Sequence, residues 1–301
     1  MYDIIVIGGG PAGLCAALYA RRANKSVLVI EKATFGGQIT YSPKVENIPG
    51  FLSLTGNEFA EKLVEQVLEQ GADVEAAEVL EVRDGEVKTV VTDSGEFTSR
   101  SVIIATGARH RLLGLENEES YVGEGISFCA VCDGAFYEGK TVAVIGGGNS
   151  ALQEALLLSD LAKKIYLVQN LGFLTGEEKL ANEVKSKANI EIILNTVVKK
   201  LHGDGELSKI TVENTESSEI SDIELDGMFV AIGLVPQNEK FANVIALDKN
   251  GYADAGEDCR TSAAGIFTAG DCRRKRIRQV TTAVADGATA ALAACDYVDG
   301  R

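Results

Sequence analysis

A short apolar strand, a glycine-rich turn and a helix follow one another twice in this chain of 301 residues. In the first copy, residues 4–7 form the strand, residues 8–13 (GGGPAG) the turn and residues up to about 24 the helix; the next strand, residues 27–30, ends at Glu31. In the second copy, the strand is residues 141–145, the turn residues 146–151 (GGGNSA), and the next strand ends at Gln169. This order predicts two units of the dinucleotide-binding type, although the glycines of the second turn could also serve packing alone.

The glycines of the first copy each have a physical reason. Gly8 permits the tight turn, Gly10 lets the backbone approach a pyrophosphate at the helix N-terminus, and Gly13 lets helix and strand pack closely. Glu31, 18 residues beyond Gly13, is placed to accept hydrogen bonds from an adenosine ribose. The first unit is therefore predicted to bind a dinucleotide.

The remaining segments predict the rest of an α/β fold. Each glycine unit is followed by an antiparallel meander and a buried strand that ends in glycine. The expected segments are a helix at 58–70, meander strands at 79–82, 87–92 and 96–98, a strand at 101–107, a second meander at about 190–225 and a strand at 228–233. Residues 265–271 and a small-residue helix at 283–294 have no glycine fingerprint of their own and must complete an earlier domain. The predicted fold class is α/β, with two Rossmann-like three-layer (ββα) domains, the second inserted into the first.

A CxxC motif, Cys129 and Cys132 with Asp133 directly after it, is the chemical centre of the sequence. Two thiols at this spacing close a disulfide ring and lower the pKa of one thiol, so that the pair carries two electrons. The alternatives are half of a zinc site or two buried cysteines that are neighbours by chance. Zinc would need a second close pair or suitably spaced histidines, whereas the other candidates are scattered: Cys15, Cys259, Cys272, Cys295, His110 and His202. Redox chemistry is favoured and no metal is expected.

Composition disfavours several kinds of partner. A net charge of −15 disfavours nucleic acid and anionic membranes, and an acidic partner would need a local basic patch. No stretch approaches the ~20 apolar residues of a membrane span, and no signal peptide is visible at the start. Six cysteines in such a chain indicate a reducing cytoplasm, where a CxxC is more often catalytic than structural.

With these motifs in place, the chain resembles the low-molecular-weight thioredoxin reductases over its whole length. The matching pieces are residues 8–13 with Glu31, 36–38 (GGQ), 46–47 (EN), 105–107 (ATG), 129–133, 146–151, 268–271 (TAGD) and 278–279 (RQ). The resemblance implies an FAD-binding domain of residues 1–115 and 246–301, and a redox domain of residues 116–245 with an NAD(P)-like fold. It also implies a homodimer that reduces thioredoxin.

The resemblance also assigns roles to residues. Cys132 would be the thiol against the flavin, Cys129 would exchange with the thioredoxin disulfide, and Asp133 would shuttle the proton. Asp271 would hold the ribityl chain, and Gln279 would sit at a helix N-terminus facing the pyrimidine end of the flavin. The cofactor-binding set implied in this way is Gly8, Gly10, Pro11, Ala12, Gly13, Glu31, Lys32, Gly37, Gln38, Asn47, Ala105, Thr106, Gly107, Gly270, Asp271, Arg278, Gln279 and Val280.

The sequence departs from the NADPH-dependent members at the end of the second unit's second strand. Those members place a His-Arg-Arg-type segment and a further arginine there, whereas residues 169–175 (QNLGFLT) contain no cation. Losing two charge-assisted contacts of roughly 1.5–3 kcal/mol each weakens NADPH by about 10²- to 10⁴-fold. An NADH enzyme would want an acid at the strand end, and Gln169 is not one.

A one-electron protein donor then becomes the expected source of electrons, because a flavin accepts them one at a time. In this respect the chain resembles the ferredoxin-dependent flavin thioredoxin reductases, which lack the nucleotide clamp. An acidic ferredoxin is expected to dock on the basic cluster of residues 273–276 (RRKR), which could also be an ordinary solvated loop. The alternatives are an NAD(P)H-dependent thioredoxin reductase with atypical nucleotide contacts, a flavin dithiol oxidase, and a non-catalytic flavin redox sensor.

Overall fold

The structure is a computed structural model that describes residues 1–42 and 44–301. It divides into two compact units, one of Met1–Arg109 with Val235–Arg301 and one of His110–Leu234. The sequence placed the two boundaries somewhat later, at 115/116 and 245/246. They fall earlier because the chain crosses between the units inside two short paired strands, Ala108–His110 and Leu234–Pro236.

The strands are numbered in chain order. They are β1 (Tyr2–Ile7), β2 (Val27–Glu31), β3 (Asp73–Ala76), β4 (Val79–Arg83), β5 (Lys88–Thr92), β6 (Glu96–Ile104), β7 (Ala108–His110), β8 (Ile126–Ser127), β9 (Thr141–Ile145), β10 (Lys164–Val168), β11 (Ile190–Ile193), β12 (Thr196–Asp204), β13 (Glu206–Asn214), β14 (Ile220–Glu224), β15 (Gly227–Val230), β16 (Leu234–Pro236) and β17 (Ile266–Thr268). The α-helices are α1 (Pro11–Arg22), α2 (Gly56–Glu69), α3 (Ala130–Asp133), α4 (Asn149–Ser159), α5 (Glu178–Ser186) and α6 (Val280–Asp299).

The first unit is built on a sheet in the order β3-β2-β1-β6, with β17 and β5 both pairing β6 and β4 pairing β5. Strand β1 is apolar on both faces, as expected for a parallel strand covered on both sides. Ile4 and Val6 pack in one core with α1 and α6, whereas Ile5 and Ile7 pack in another with the meander strands. The predicted three-layer arrangement is confirmed.

Strand β6 differs from its prediction. The sequence divided residues 96–104 into a meander strand and a separate buried strand, but the backbone continues through both. The first half of β6 pairs antiparallel with β5, and its second half pairs parallel with β17. The C-terminal segment thus completes the first unit's sheet, as expected from its lack of a glycine turn.

The second unit repeats the plan with a parallel sheet in the order β11-β10-β9-β15-β8 and an antiparallel sheet β12-β13-β14. Strand β11 was expected within the meander, but it pairs parallel with β10. The short helix α3 and the longer helix α4 share a core through Ala130, Ala151 and Leu158. Within the described residues, no helix is long and apolar enough to cross a membrane.

Candidate active site and cofactor-binding site

The first glycine turn has the geometry that its sequence predicts. Gly8 has φ +110°, and a side chain on it would overlap the backbone of Ala105. A side chain on Gly13 would overlap the carbonyl of Gly8, so the first turn of α1 lies directly against β1. Gly10 has open space, with Gly36 O 3.9 Å from the position of a Cβ atom. The turn therefore leaves room for a ligand at the N-terminus of α1.

Glu31 lies at the end of β2 and supports this turn. Its Oε2 accepts a hydrogen bond from Gly9 N at 2.7 Å, and its Oε1 accepts one from Ala33 N at 2.9 Å. The sequence predicted a ribose acceptor here but not this backbone role. The neighbouring Lys32 lies 3.9 Å from Glu78, with which it pairs across the surface.

Two segments distant in sequence reach the same region. Gly37 packs on the first glycine turn, since a Cβ atom on it would lie 3.2 Å from Gly10 Cα. The Gln38 side chain donates to Ala108 O. Asn47 Nδ2 donates to Gln279 Oε1 at 3.3 Å, which connects the loop after β2 to the start of α6.

Strand β6 and helix α6 bring the remaining predicted residues of the first unit. Ala105 N donates to Ile7 O at 2.8 Å, and Thr106 Oγ1 donates to Asn238 Oδ1 at 3.3 Å. Gly107 follows with φ +68°. At the other end, α6 begins at Val280 after Gln279, and a side chain on Gly287 would overlap the carbonyl of Ala12 in α1.

The turn after β17 contains buried polar atoms without a protein partner. Among the described residues, Asp271 Oδ1 and Arg278 Nε have no hydrogen-bond partner although both are buried. Burial raises the pKa of Asp271, while the charges of Lys275 and Arg278 oppose that effect. The Arg278 guanidinium lies 4.3 Å from the centre of the Tyr252 ring. A polar ligand would satisfy both groups.

Asp286 is a buried acid that sequence reasoning missed. Its Oδ2 accepts from Gly270 N at 3.0 Å, from Arg273 Nε at 2.9 Å and from Lys275 Nζ at 2.9 Å, and its Oδ1 accepts from Arg273 NH2 at 2.7 Å. Burial raises the pKa of Asp286, but the hydrogen bonds from the two cations outweigh it and hold the pKa below its ordinary value. The acid was detectable as the one charged residue in residues 281–294 (TTAVADGATAALAA), a helical run of mostly small residues.

The prediction of an exposed basic docking cluster at residues 273–276 is wrong for two of its four residues. The side chains of Arg273 and Lys275 are only 2% and 6% exposed and face Asp286. Arg274 and Arg276 are exposed, and Arg274 pairs with Asp254 at 3.1 Å. The run of cations is therefore partly an internal ion-pair network that holds the turn of Gly270.

Cys129 and Cys132 form a disulfide in the second unit, with their Cα atoms 5.3 Å apart. This agrees with the redox interpretation of the CxxC spacing. Cys129 precedes the short helix α3, and Cys132 N donates to Cys129 Sγ at 3.2 Å. Both residues are half-buried.

Asp133 lies at the end of α3 and is tied to the segment before it. Its Oδ2 accepts from Ser127 Oγ at 2.6 Å, and Ser127 Oγ accepts from Cys129 N at 3.1 Å. Burial raises the pKa of Asp133, and the Ser127 hydrogen bond only partly opposes this. A carboxyl group with a raised pKa beside a redox disulfide is suited to carry a proton.

The second glycine turn keeps the backbone geometry of the first but not its acid. Gly146 has φ +130°, and Gly148 precedes the first residue of α4. Gln169 stands where Glu31 stands in the first unit, and it is 4% exposed with its amide against Gly147. Its Nε2 donates to Phe173 O at 3.3 Å, and its Oε1 accepts from Asn170 N at 3.1 Å. The amide is thus committed to its own loop.

A doubled dinucleotide-binding fold, with a CxxC disulfide and a buried acid in its second unit, defines a disulfide oxidoreductase that works with a bound dinucleotide. The family model described as pyridine nucleotide-disulphide oxidoreductase matches residues 2–287. The chain belongs to this family, and the predicted α/β fold is confirmed.

Similar proteins cover the chain from end to end. It is 39% identical over 301 residues to the thioredoxin reductase of Bacillus subtilis (strain 168), a match that covers 99% of this chain and 95% of that protein. It is also 39% identical over 302 residues to the 34.2 kDa protein in rubredoxin operon of Clostridium pasteurianum, covering 99% and 98%. The crystal structure of thioredoxin reductase from Streptococcus pyogenes MGAS5005 is similar with a TM-score of 0.95 at 37% identity, covering 100% of this chain and 99% of that one.

The family's thioredoxin reductases are FAD-binding flavoproteins, which confirms FAD as the cofactor. The first unit fits such a group on three observations. The space at Gly10 is open, and Asp271 Oδ1 and Arg278 Nε are buried without a protein partner among the described residues.

Proposed function

We propose that this chain is a thioredoxin-disulfide reductase that uses FAD and the Cys129–Cys132 pair. The observation that carries the proposal is the disulfide itself, held at CxxC spacing directly before the buried acid Asp133. The full-length similarity to proteins named thioredoxin reductase supports thioredoxin as the substrate. The cysteines supply the exchange chemistry that any protein disulfide requires.

The first unit would hold the cofactor. FAD, when bound, supplies two electrons to the disulfide. Gly10 and the N-terminus of α1 would receive the pyrophosphate, and Glu31 would accept from the adenosine ribose with its remaining lone pairs. Asp271 Oδ1 and Arg278 Nε would form hydrogen bonds with the cofactor. The other residues assigned to this site are Gly8, Pro11, Ala12, Gly13, Lys32, Gly37, Gln38, Asn47, Ala105, Thr106, Gly107, Gly270, Gln279 and Val280.

The thiol chemistry follows from the residues of α3. After reduction of the disulfide, the Cys129 thiolate attacks a sulfur of thioredoxin and forms a mixed disulfide. The departing thioredoxin thiolate takes a proton from Asp133, and Cys132 then attacks Cys129 to release the second thiolate. Two electrons leave the cysteine sulfurs, and the thioredoxin disulfide gains them.

Cys129 is proposed as the exchanging thiol because its sulfur has the better anion environment. Cys132 N already donates to Cys129 Sγ at 3.2 Å, a contact that stabilises negative charge on that sulfur. We expect Cys132→Ser to leave a thiolate at Cys129 that traps thioredoxin in a stable mixed disulfide. Cys129→Ser should give none; trapping by Cys129→Ser alone would reverse the two roles. Non-reducing electrophoresis with thioredoxin disulfide measures the adduct.

The electron donor is proposed to be a ferredoxin-type protein that gives one electron at a time. The support is the segment 169–175, where no cation is present and the Gln169 amide is committed to Phe173 and Asn170. A 2′-phosphate would meet no positive side chain from this segment.

NADPH or NADH is the second candidate donor, and one observation favours it. The turn of Gly146 and Gly148 keeps the geometry of a dinucleotide site although its strand ends in Gln169. NADPH is the usual donor of such thioredoxin reductases. A nucleotide bound there would depend on backbone contacts rather than on a cation clamp.

Anaerobic rapid mixing separates the two donors. We expect reduced ferredoxin to bleach the flavin absorbance within the turnover time, and NADPH or NADH at micromolar concentration to leave it oxidised. Fast bleaching by either nucleotide contradicts the ferredoxin proposal and leaves the thioredoxin reductase proposal intact. An Asn170→Arg, Leu171→Arg variant is the matched test of the clamp, because both positions are exposed. If the turn still accepts a nucleotide, this variant gains reduction by NADPH more than by NADH.

The proposal includes a homodimer, on the strength of the family resemblance. Its test is the mass in solution at micromolar concentration, expected at twice the 31.9 kDa of the chain. A monomer mass would contradict this part alone.

A further inference from the structure

A second buried acid lies in the unit that carries the disulfide. Within the described part of the chain, Asp133 Oδ1 and Glu154 Oε2 are the two buried side-chain oxygen atoms of this unit that have no hydrogen-bond partner. Glu154 belongs to α4, which packs on the short helix α3 that ends at Asp133. The proposed thiol chemistry makes no use of Glu154.

Glu154 occupies a position where packing alone would select an apolar side chain. It shares its helix face with Ala151 and Leu158, which are fully buried. A buried carboxyl group without a partner destabilises a fold, and a leucine there would remove that cost. The acid therefore needs a reason other than packing.

Among the described residues, the one charged group that shifts the pKa of Glu154 is another carboxylate, Asp133. The core that α4 shares with β9, β10 and α5 contains the apolar side chains of Val142, Val144, Ile165, Leu167, Ala181 and Val184. Burial, together with the nearby charge of Asp133, raises the pKa of Glu154 to about 8. Tyr137, in the turn after Asp133, has its pKa raised to about 12 by burial and by that same charge, so it stays neutral. Glu154 thus holds a proton near neutral pH.

We infer that Asp133 and Glu154 form a carboxyl pair that stores one proton, and that Glu154 restores the proton that Asp133 gives to a departing thiolate. The inference rests on the proposed thiol exchange. Cys129 loses its proton to the pair when it becomes a thiolate. The pair gives that proton to the first thioredoxin sulfur when the thioredoxin disulfide breaks. Glu154 then passes its stored proton to Asp133 and takes the proton of Cys132 as the Cys129–Cys132 bond forms, and Asp133 gives its proton to the second thioredoxin sulfur. Protons and electrons balance without another reagent.

Stopped-flow oxidation of the pre-reduced dithiol tests the pair. The whole protein is reduced with dithiothreitol, freed of excess reagent and mixed with thioredoxin disulfide over a range of pH. In the parent, the exchange rate attributable to the stored proton falls as pH rises through about 8. Glu154→Gln should lack this fall and be slower at neutral pH by roughly 10-fold, below the range for losing a direct acid catalyst. Glu183→Gln, on the exposed face of α5, is the matched control and should follow the parent.

A double variant shows whether Glu154 acts through Asp133. Asp133→Asn with Glu154→Gln should be no slower than Asp133→Asn alone, because residues that act as a unit are not additive. Independent, multiplying losses would overturn the inference. A Glu154→Gln profile that overlays the parent at every pH would overturn it too; Glu154→Leu serves for the same comparison if the glutamine variant does not fold.

Infrared spectroscopy of the resting protein gives a readout that does not depend on turnover. The parent at neutral pH should show a protonated carboxyl band that is lost in Glu154→Gln and Glu154→Leu but kept in Glu183→Gln. Absence of the band in the parent rules out the stored proton. If the parent shows the band but does not exchange with thioredoxin, the proposed function fails while the carboxyl pair stands.

Discussion

At the residue scale, Glu31 combines a structural role with the expected binding role. Its two oxygens accept from Gly9 N and Ala33 N and so fix the turn on which we propose that the pyrophosphate lies. Glu31→Ala should raise the dissociation constant of FAD by roughly 10- to 100-fold, because two hydrogen bonds to a charged group are lost along with the ribose acceptor. Titration of the apoprotein with FAD measures this, and Glu75→Ala on the neighbouring strand β3 is the control. Unchanged FAD affinity in Glu31→Ala would show that the first unit is assigned wrongly.

Glu154 gives a second residue-scale prediction, on stability. Its pKa is raised from 4.5 to about 8 by burial, so folding favours its protonated form. The stability that this group contributes is present below pH 4.5 and is lost as pH rises through about 8. The Glu154→Gln side chain is neutral at every pH. The free energy of unfolding of this variant should therefore increase relative to that of the parent as pH rises over this interval, by on the order of 2–4 kcal/mol. Urea unfolding at several pH values measures the difference.

The same titration in Glu183→Gln should run parallel to the parent, because that side chain is exposed. A constant difference between Glu154→Gln and the parent at all pH values would mean that Glu154 is ionised in the folded protein.

Single residues were predictable where their reason is local. Gly8 needs a positive φ and Cys132 needs only a partner three residues away, and both follow from the sequence itself. Arg273 and Lys275 were misjudged because their partner, Asp286, approaches only after α6 packs in the fold. The sequence of a basic segment does not show whether its side chains face water or a buried carboxylate. An acid inside an apolar helix is the signal that would have revealed both Asp286 and Glu154.

At the scale of elements, the contact of α1 with α6 depends on one missing side chain. A Cβ atom on Gly287 would overlap the carbonyl of Ala12, so the helices approach at backbone distance. Gly287→Ala should lower the free energy of unfolding by about 1–3 kcal/mol, because overpacking outweighs the gain of about 1 kcal/mol in helix propensity. Gly256→Ala is the control, since a Cβ atom there meets only the Asp258 side chain at 3.4 Å. A more stable Gly287→Ala protein would show that the helix pair can separate without cost.

Elements were predictable according to how completely they are buried. Strands β1, β2, β9 and β10 are apolar runs between turns, and their positions followed from the sequence. Strand β3 is exposed at the sheet edge and gave no alternation that would reveal it. Strand β11 resembled the meander that follows it, because periodicity does not tell a parallel partner from an antiparallel one. Pairing depends on the chain as a whole.

At the scale of the whole molecule, a net charge of −15 opposes any acidic donor. With Arg273 and Lys275 buried, Arg274 and Arg276 are the exposed cations of the predicted docking loop. Reversing both to glutamate should slow flavin reduction by ferredoxin several-fold at low salt. The effect should fade at physiological salt, where exposed charges are screened over about 8–10 Å. Stopped-flow flavin absorbance measures the rate.

A double reversal of Lys62 and Lys179 to glutamate gives the same net charge away from this loop and is the control. Equal slowing in both double variants would assign the effect to net charge, and no slowing in either would place the donor elsewhere. Thiol exchange at Cys129 should be unchanged in all of them.

The two chain ends of the first unit, between which the second unit is inserted, lie close together. Gln237 N donates to Gly107 O at 3.4 Å, so the residues just before and just after the excursion through the second unit are already neighbours within the first. Closing so small a gap costs little chain entropy. A variant in which residues 109–235 are replaced by a few glycines should therefore fold by itself and bind FAD, which would give it a yellow colour. The same junction could accept a different inserted domain, so that the first unit would serve as a flavin-binding domain for another catalytic domain.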